Sequence, residues 1–404
     1  MHRFIEQVVG AICGTAGAGE RRRGHTLHAM HLCLFYAGAL SCMVLGTGCK
    51  VGPDFAPPQT QLQETWVGST TLGAAEEECD LSQWWTCFED PVLTSLIQRA
   101  AQSNLDLKLA EARIRQARAS RGIVSSGLGP MLDASGSFRR GQSPGFLEGT
   151  SGPTTNLYQS GFDANWELDL FGGVRRSEEA SGADLRAAIE ARESVLVTLA
   201  AEVALHYTEL CGLREQISIA QRNLKTQQHN ADLTSERFEG GFVSGLDVAN
   251  AEAQAATTAG QIPLLEQAAR QAIYSLSLLL GHEPGALLEE LSHSGSIPAP
   301  PPAVPVGVPS ELLRRRPDIR QAEALLHGAT ARIGVAIADL FPKISLSGTL
   351  GTQSTESGSL TDGANRSWSV GPSVSWALFA TGRIRANIEL QKAFREESLA
   401  TYQK

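Results

Sequence analysis

Apolar and polar residues alternate in four stretches of the chain. From Tyr158 to Leu170, every second residue reads Tyr, Ser, Phe, Ala, Trp, Leu, Leu. The residues between are Gln159, Gly161, Asp163, Asn165, Glu167 and Asp169. A period of two puts successive side chains on opposite faces of a strand. Leu132, Ala134, Gly136 and Phe138 follow the same rule, as do Ile344, Leu346, Gly348 and Leu350. So do Trp368, Val370, Pro372, Val374, Trp376 and Leu378. The pattern predicts strands over 131–140, 157–170, 343–352 and 366–379, each with one apolar face and one face of Ser, Gly, Thr, Asp and Asn.

Elsewhere the period lengthens to that of a helix. Leu93, Leu96 and Ile97 open one helical stretch, expected over 91–126, and a second is expected over 309–340. Pro130 and Pro342 mark their ends. From 175 to 281 the chain is rich in Ala, Glu, Gln and Leu. Leu196, Leu199, Val203 and Tyr207 step by three or four, the spacing of a packed seam. One break, EGGFVSG at 239–245, divides this region into arms at 175–238 and 246–281. Antiparallel arms follow, the first about 95 Å long at the α-helical rise. That exceeds a globular core and suits an extended coiled coil or helical tube. Pro263 is placed to kink the second arm.

The second half restates the first. NLDLKLAEA (104–112) aligns with RPDIRQAEA (316–324) at an offset of 212. The same offset takes Pro130 to Pro342 and Ser135-Gly136 to Ser347-Gly348. Trp166 and Leu168 then meet Trp376 and Leu378. FGGVRR (171–176) and FATGRIR (379–385) follow. A duplicated unit of helix, two strands and long helix results. The units are 91–281 and 309–404, joined by a proline-rich connector at 282–308, with IPAPPPAVPVGVP as its core. By this symmetry the second unit lacks about 85 residues of helix that the first contains. A truncated or frameshifted record, or a non-conducting remnant, would account for that.

The first 48 residues have a different character. Arg21, Arg22 and Arg23 precede the uncharged run LCLFYAGALSCMVLGTG (32–48), and Cys49 follows. A basic start, an apolar stretch and small residues before a cut describe an export signal; the alternative is a buried helix. Gly46, Thr47 and Gly48 before Cys49 suggest a lipoprotein cut with Cys49 as the lipidated first residue, and an extended leader over 49–90. The position three before Cys49, usually Leu, is Gly46 here, with Leu45 one further back. Removing 1–48 takes away four basic and two acidic residues and moves the net charge from −9 to −11. This balance excludes nucleic acid as a partner. No uncharged apolar run reaches the length of a mature membrane-spanning helix. Cys79 and Cys87 are the only near pair left, as a disulfide or as two free thiols.

Polar strand faces of Ser, Thr, Gly and Asp suit a wet lumen, with the apolar faces toward lipid. Exposed edges do not occur in lipid, so such a sheet must close, and four strands cannot close alone. An oligomer follows; its order does not. CKVGPDFAPP (49–58), PSELLRRRPDIRQAEALLHGATARIGVAIADLFPKISLSGTLG (309–351) and WSVGPSVSWALFATGRIRA (368–386) carry a clear likeness. Through them the chain resembles the outer membrane factors of tripartite efflux pumps, the TolC/OprM-like lipoproteins of NodT type, from Cys49 to Lys404. The resemblance implies an α+β membrane protein and a homotrimer. Long antiparallel helical hairpins would build an α-barrel through the periplasm, and four strands per chain would build a twelve-strand barrel in the outer membrane. It implies a passive duct working with a periplasmic adaptor and an inner-membrane pump, without cofactor or catalysis.

On this reading Tyr158, Phe162, Trp166, Leu168, Trp368, Val370, Val374 and Trp376 face lipid. The break at 237–254 resembles the family's periplasmic tip, with Gly245, Leu246 and Asp247 as gate candidates. Locally, Ser244 and Asp247 also fit a helix-capping pair. Arg314, Arg315 and Arg316 before Pro317 and Asp318 suit a paired or solvated helix start. GQSPG (141–145) matches a hydrolase elbow in letters only, since Pro144 has no N–H for an oxyanion hole. GTAGAG (14–19) and the evenly spaced His25, His28 and His31 lie in the removed leader, and no metal constellation is found.

Overall fold

A computed structural model describes residues 49–58, 81–144, 151–292, 297–299 and 314–404. The expected export signal, Cys79 and residues 293–296 and 300–308 of the proline-rich connector lie outside the described residues. A 3-10 segment over Leu81–Phe88 leads into helices α1 (Pro91–Ser103) and α2 (Leu105–Ser126). Strands β1 (Met131–Pro144) and β2 (Ser151–Leu168) follow, then the long helices α3 (Gly173–Glu239) and α4 (Gly245–Leu279). A single turn lies at Leu288–Leu291. The second repeat is α5 (Pro317–Ala338), β3 (Lys343–Ser354), β4 (Arg366–Ser375) and α6 (Arg383–Gln403).

The helix expected over 91–126 is two helices, broken at Asn104. The Asn104 side chain accepts from Asp106 N (2.8 Å) and Leu107 N (3.0 Å), so it caps α2. Its Nδ2 donates to the Leu279 carbonyl at 2.9 Å, and Ser103 Oγ donates to the Leu280 carbonyl at 2.6 Å. The kink thus satisfies the carbonyls left over at the end of α4. The predicted strands differ only at their ends: β1 and β3 run further, β2 covers Ser151–Leu168 where 157–170 was expected, and β4 stops at Ser375, so Trp376 and Leu378 lie just beyond it.

Helix α3 is the spine. It pairs with α4 and also packs on α1, α2 and α5. Leu199, Val203, Tyr207 and Leu210 from α3 meet Leu93, Leu96 and Ile97 from α1 and Ile273 and Leu276 from α4 in the main core. The seam read from periodicity is this core, with Leu196 at its edge. Buried Tyr207 donates to Asp90 Oδ2 at 2.9 Å, while Asp90 Oδ1 caps α1 at Val92 N and Leu93 N. α3 also holds an 18-residue stretch apolar enough to cross a membrane by length and composition. Part of α3 lines this core, with Leu199, Val203, Tyr207 and Leu210 buried. Near the strands, Ala336 of α5 packs on Ile384 and Ile388 of α6 as a second, smaller cluster.

Candidate functional site

The four strands form one antiparallel sheet in the order β1-β2-β3-β4. Register decides what its faces carry. Phe138 lies opposite Tyr158, Phe162 opposite Leu350, Trp166 opposite Leu346, and Leu350 opposite Trp368. Cross-strand partners share a face, so the apolar sets of all four strands merge into one surface. Phe162, Leu350, Val370 and Val374 are exposed there, and Trp368 is 75% exposed. A contiguous apolar face of this kind has no place in water.

The opposite face is a lattice of small polar groups. Ser135 Oγ donates to Asp163 Oδ2 at 2.9 Å, and Gln159 Nε2 donates to Gln353 Oε1 at 3.1 Å. The hydroxyls of Ser345 and Ser373 lie 2.8 Å apart, as do those of Thr349 and Ser369. Asp133 sits directly opposite Asp163. Unlike the apolar face, this one is suited to line water.

At one end of the sheet the repeats share a device. Trp166 Nε1 donates to the Leu128 carbonyl at 3.1 Å, and Trp376 Nε1 donates to the Leu340 carbonyl at 3.0 Å. Each indole ties a strand end to the end of the helix preceding the hairpin. Beyond it, the chain enters the next helix through a left-handed glycine, Gly172 (φ +80°) or Gly382 (φ +81°). Indoles in this place match the aromatic girdle of a membrane boundary, apolar ring in lipid and N–H on a polar partner.

The leader 49–58 is clasped at that same level. Val51 N donates to the Phe171 carbonyl at 3.2 Å. A Cβ on Gly172 would lie 2.8 Å from Lys50 Cα, so only glycine lets the leader pass. Arg176, 1% exposed, donates to the carbonyls of Val51 (3.0 Å) and Gly52 (3.2 Å), to Asp54 Oδ1 (2.7 Å) and to Glu179 Oε2 (3.0 Å). Glu179 also meets Lys50 Nζ at 3.3 Å and His327 Nε2 at 3.1 Å. Phe55 stacks on the His327 ring with centroids 4.4 Å apart. Partial burial pushes the Glu179 carboxyl up, but the bonds from His327 and Lys50 and the Arg176 charge outweigh it and hold it below the usual range. Cys49 is exposed with a free thiol at the mouth of this clasp. Sequence reading missed the clasp: Arg176 stood out only as part of the repeat, and its leader partners lie more than 120 residues away. Cys87 is disulfide-bonded, and Cys211 is a free, buried thiol.

The hairpin tip lies at the far end of α3 and α4. Asp247 Oδ2 accepts from Ser244 N (2.9 Å) and Ser244 Oγ (2.7 Å), and Asp247 N faces Ser244 Oγ at 3.4 Å, which completes a capping box. These bonds hold the Asp247 carboxyl below its usual range. Gly245 opens α4 and Leu246 is 70% exposed. At the start of α5, Arg316 pairs with Asp318 through Nε (3.0 Å) and Nη2 (2.6 Å). Among the described residues no group of His, Cys, Asp and Glu is placed to hold a metal.

Comparison with known proteins gives three concordant results. The profile of the family described as outer membrane efflux protein matches residues 96–282 and 308–404. Nodulation protein T of Rhizobium leguminosarum bv. trifolii is 33% identical over 356 residues, 87% of this chain and 74% of its own length. The pyoverdine export outer membrane protein OpmQ of Pseudomonas aeruginosa is 35% identical over 379 residues, 90% of this chain and 77% of its own. Among solved structures, the outer-membrane channel OprN superposes with a TM-score of 0.82 at 39% identity, over 88% of this chain and 79% of that one. The Campylobacter jejuni CmeC outer membrane channel reaches 0.78 at 25% identity, over 88% and 76%.

Proposed function

Since the chain belongs to the outer membrane efflux protein family, we propose that it is a passive homotrimeric duct of a tripartite efflux system. It carries small molecules across periplasm and outer membrane, and it is a channel, not an enzyme. The observation that carries this reading is the two-faced sheet, apolar on one side and hydroxyl-lined on the other, continuous with the α3–α4 hairpin. Three copies supply twelve strands and close the edges that lipid forbids. A periplasmic adaptor and an inner-membrane pump supply the drive.

Tyr158, Phe162, Trp166, Leu168, Trp368, Val370, Val374 and Trp376 face lipid in this reading, the two indoles marking the periplasmic boundary. Cys49 carries the lipid: the clasp holds it exposed at the level of Trp166, where acyl chains would meet the membrane. The tip residues Gly245, Leu246 and Asp247 form the periplasmic mouth. The Asp247 carboxylate is engaged in its own capping box, so exposed Leu246 is the better placed of the three to close against its symmetry copies.

Single-channel recording on the purified protein in planar bilayers tests the duct. Discrete water-filled conductance is expected, and a membrane-inserted oligomer with no conductance would overturn the reading. Intact-mass measurement tests the anchor separately. A mature chain beginning at Cys49 with added acyl mass is expected, and an unmodified Cys49 would remove the lipid from the proposal.

A further inference from the structure

Charge is divided unequally between the two faces of the sheet. Asp133, Arg139, Asp163, Glu167 and Lys343 share the polar face by register. On the face of Phe138, Tyr158, Phe162, Leu350 and Trp368, the charged residues among the described positions are Arg140 on β1 and Arg366 on β4. Arg140 lies opposite Asn156, in the same-face rung next to Phe138–Tyr158. Arg366 lies opposite Thr352, in the same-face rung next to Leu350–Trp368. The repeat makes these one rung. The first-strand offset of 212 carries Arg140 to Thr352, and the second-strand offset of 210 carries Asn156 to Arg366. Each repeat therefore places one arginine at this position, on its first strand or on its second. Both side chains are exposed, and neither makes an ion pair or hydrogen bond among the described residues.

The girdle sets their depth. Asn156 precedes Trp166 by ten residues, and Arg366 precedes Trp376 by ten. Ten residues of strand span about 34 Å, of which a strand tilted by about 40° covers about 26 Å along the membrane normal. That matches the apolar band of an outer-membrane barrel, about 25 Å tall. On the barrel reading above, on which this inference rests, the indoles mark the periplasmic boundary. The two arginines then stand at the other boundary, among the headgroups of the outer leaflet. A charge costs little at that depth and much at the bilayer middle.

We propose that Arg140 and Arg366 bind the phosphate groups of an anionic glycolipid in the outer leaflet. A guanidinium presents its donors in a planar fork that meets two phosphate oxygens at once. A phosphomonoester carries up to about two negative charges at neutral pH, so it draws such a fork more strongly than a diester does. No carboxylate shares this face to compete for the arginines. Water alone would accept charges of either sign; two guanidinia and no acid, in the same rung of both repeats, match an anionic layer. The adjoining rungs fit the rest of such a lipid. The Phe138 and Tyr158 rings lie 4.8 Å apart, and Trp368 is exposed beside Leu350, so each arginine stands over an apolar wall for acyl chains.

The test presents the full chain, reconstituted in phosphatidylcholine nanodiscs, with lipid A or with the same lipid stripped of its phosphates. Native mass spectrometry counts the lipid retained. The phosphorylated form should be retained about tenfold over the stripped form, the effect of one charge-assisted contact. Arg140→Gln/Arg366→Gln should abolish that preference, and Arg139→Gln, next in sequence but on the polar face, should leave it intact. A wild-type protein that retains both forms equally would overturn the proposal, and this comparison needs no variant to fold. So would a preference that survives the double variant, or one that Arg139→Gln removes just as fully. Equal retention of phosphatidylglycerol at matched charge would overturn the assignment to a glycolipid. A chain that does not embed in the bilayer at all would instead sink the barrel reading on which the site depends.

Discussion

Asn104 shows how much a single side chain can settle. Its carbonyl oxygen caps α2 and its amide closes the end of α4, so two helices depend on one residue that is 4% exposed. Asn104→Ala should lower stability by about 1–2 kcal/mol for the lost cap, with a further cost for the stranded Leu279 carbonyl. Thermal unfolding in detergent would read this, and an unchanged midpoint would contradict it. Glu179 supplies a pH dependence with a definite sign. Its carboxyl is held below the ordinary value of a glutamate, chiefly by the bonds from His327 and Lys50. Its contribution to leader docking is therefore full above that value and lost as pH falls through the lower, folded one. Protease cutting within 49–58 should stay slow through neutral pH and rise in acid. Glu179→Gln should remove that acid step; a step that persists would assign it elsewhere. Neither residue was legible in advance as a site. Asn104 carried a local signal, a cap residue two before Asp106, which the longer apolar period masked. Glu179 carried only its i, i+3 spacing from Arg176, because its other partners come from the leader and α5.

The four strands were legible, because a period of two survives any error in the ends, but not the ends themselves, which lie up to six residues from the expected ones. What period two cannot show is which strand neighbours which. The β2–β3 junction joins residues about 190 apart, and only the fold brings them together. The alternation does make a sharp prediction about each element. Val374 lies on the apolar face and its neighbour Ser373 on the polar one. Val370→Lys, on that same apolar face and six residues from the Trp376 girdle, should cost about 2–4 kcal/mol, and Ser369→Lys on the polar face little. Assembly yield in outer membranes, measured on heat-sensitive oligomer bands, should fall for the first variant and hold for the second. The reverse order would mean that the faces are assigned backwards.

At the scale of the molecule, the duplication was plain from the chain itself, and the structure gives it mechanical content. Trp166 and Trp376 tie strand ends to helix ends at the same level in both repeats, within 3.1 Å of their carbonyls. On the proposed reading those bonds sit at the membrane boundary, where a broken one would find little water to replace it. The junction of sheet and helices is therefore the stiff part of the structure. From it α3 extends 67 residues, about 100 Å at the helical rise. A lever of that length on a fixed mount turns small angles into large travel: each degree of lean at the collar displaces the far tip by about 1.7 Å. Ten degrees would carry it about 17 Å, so a large displacement at the hairpin tip needs only a small one at the collar.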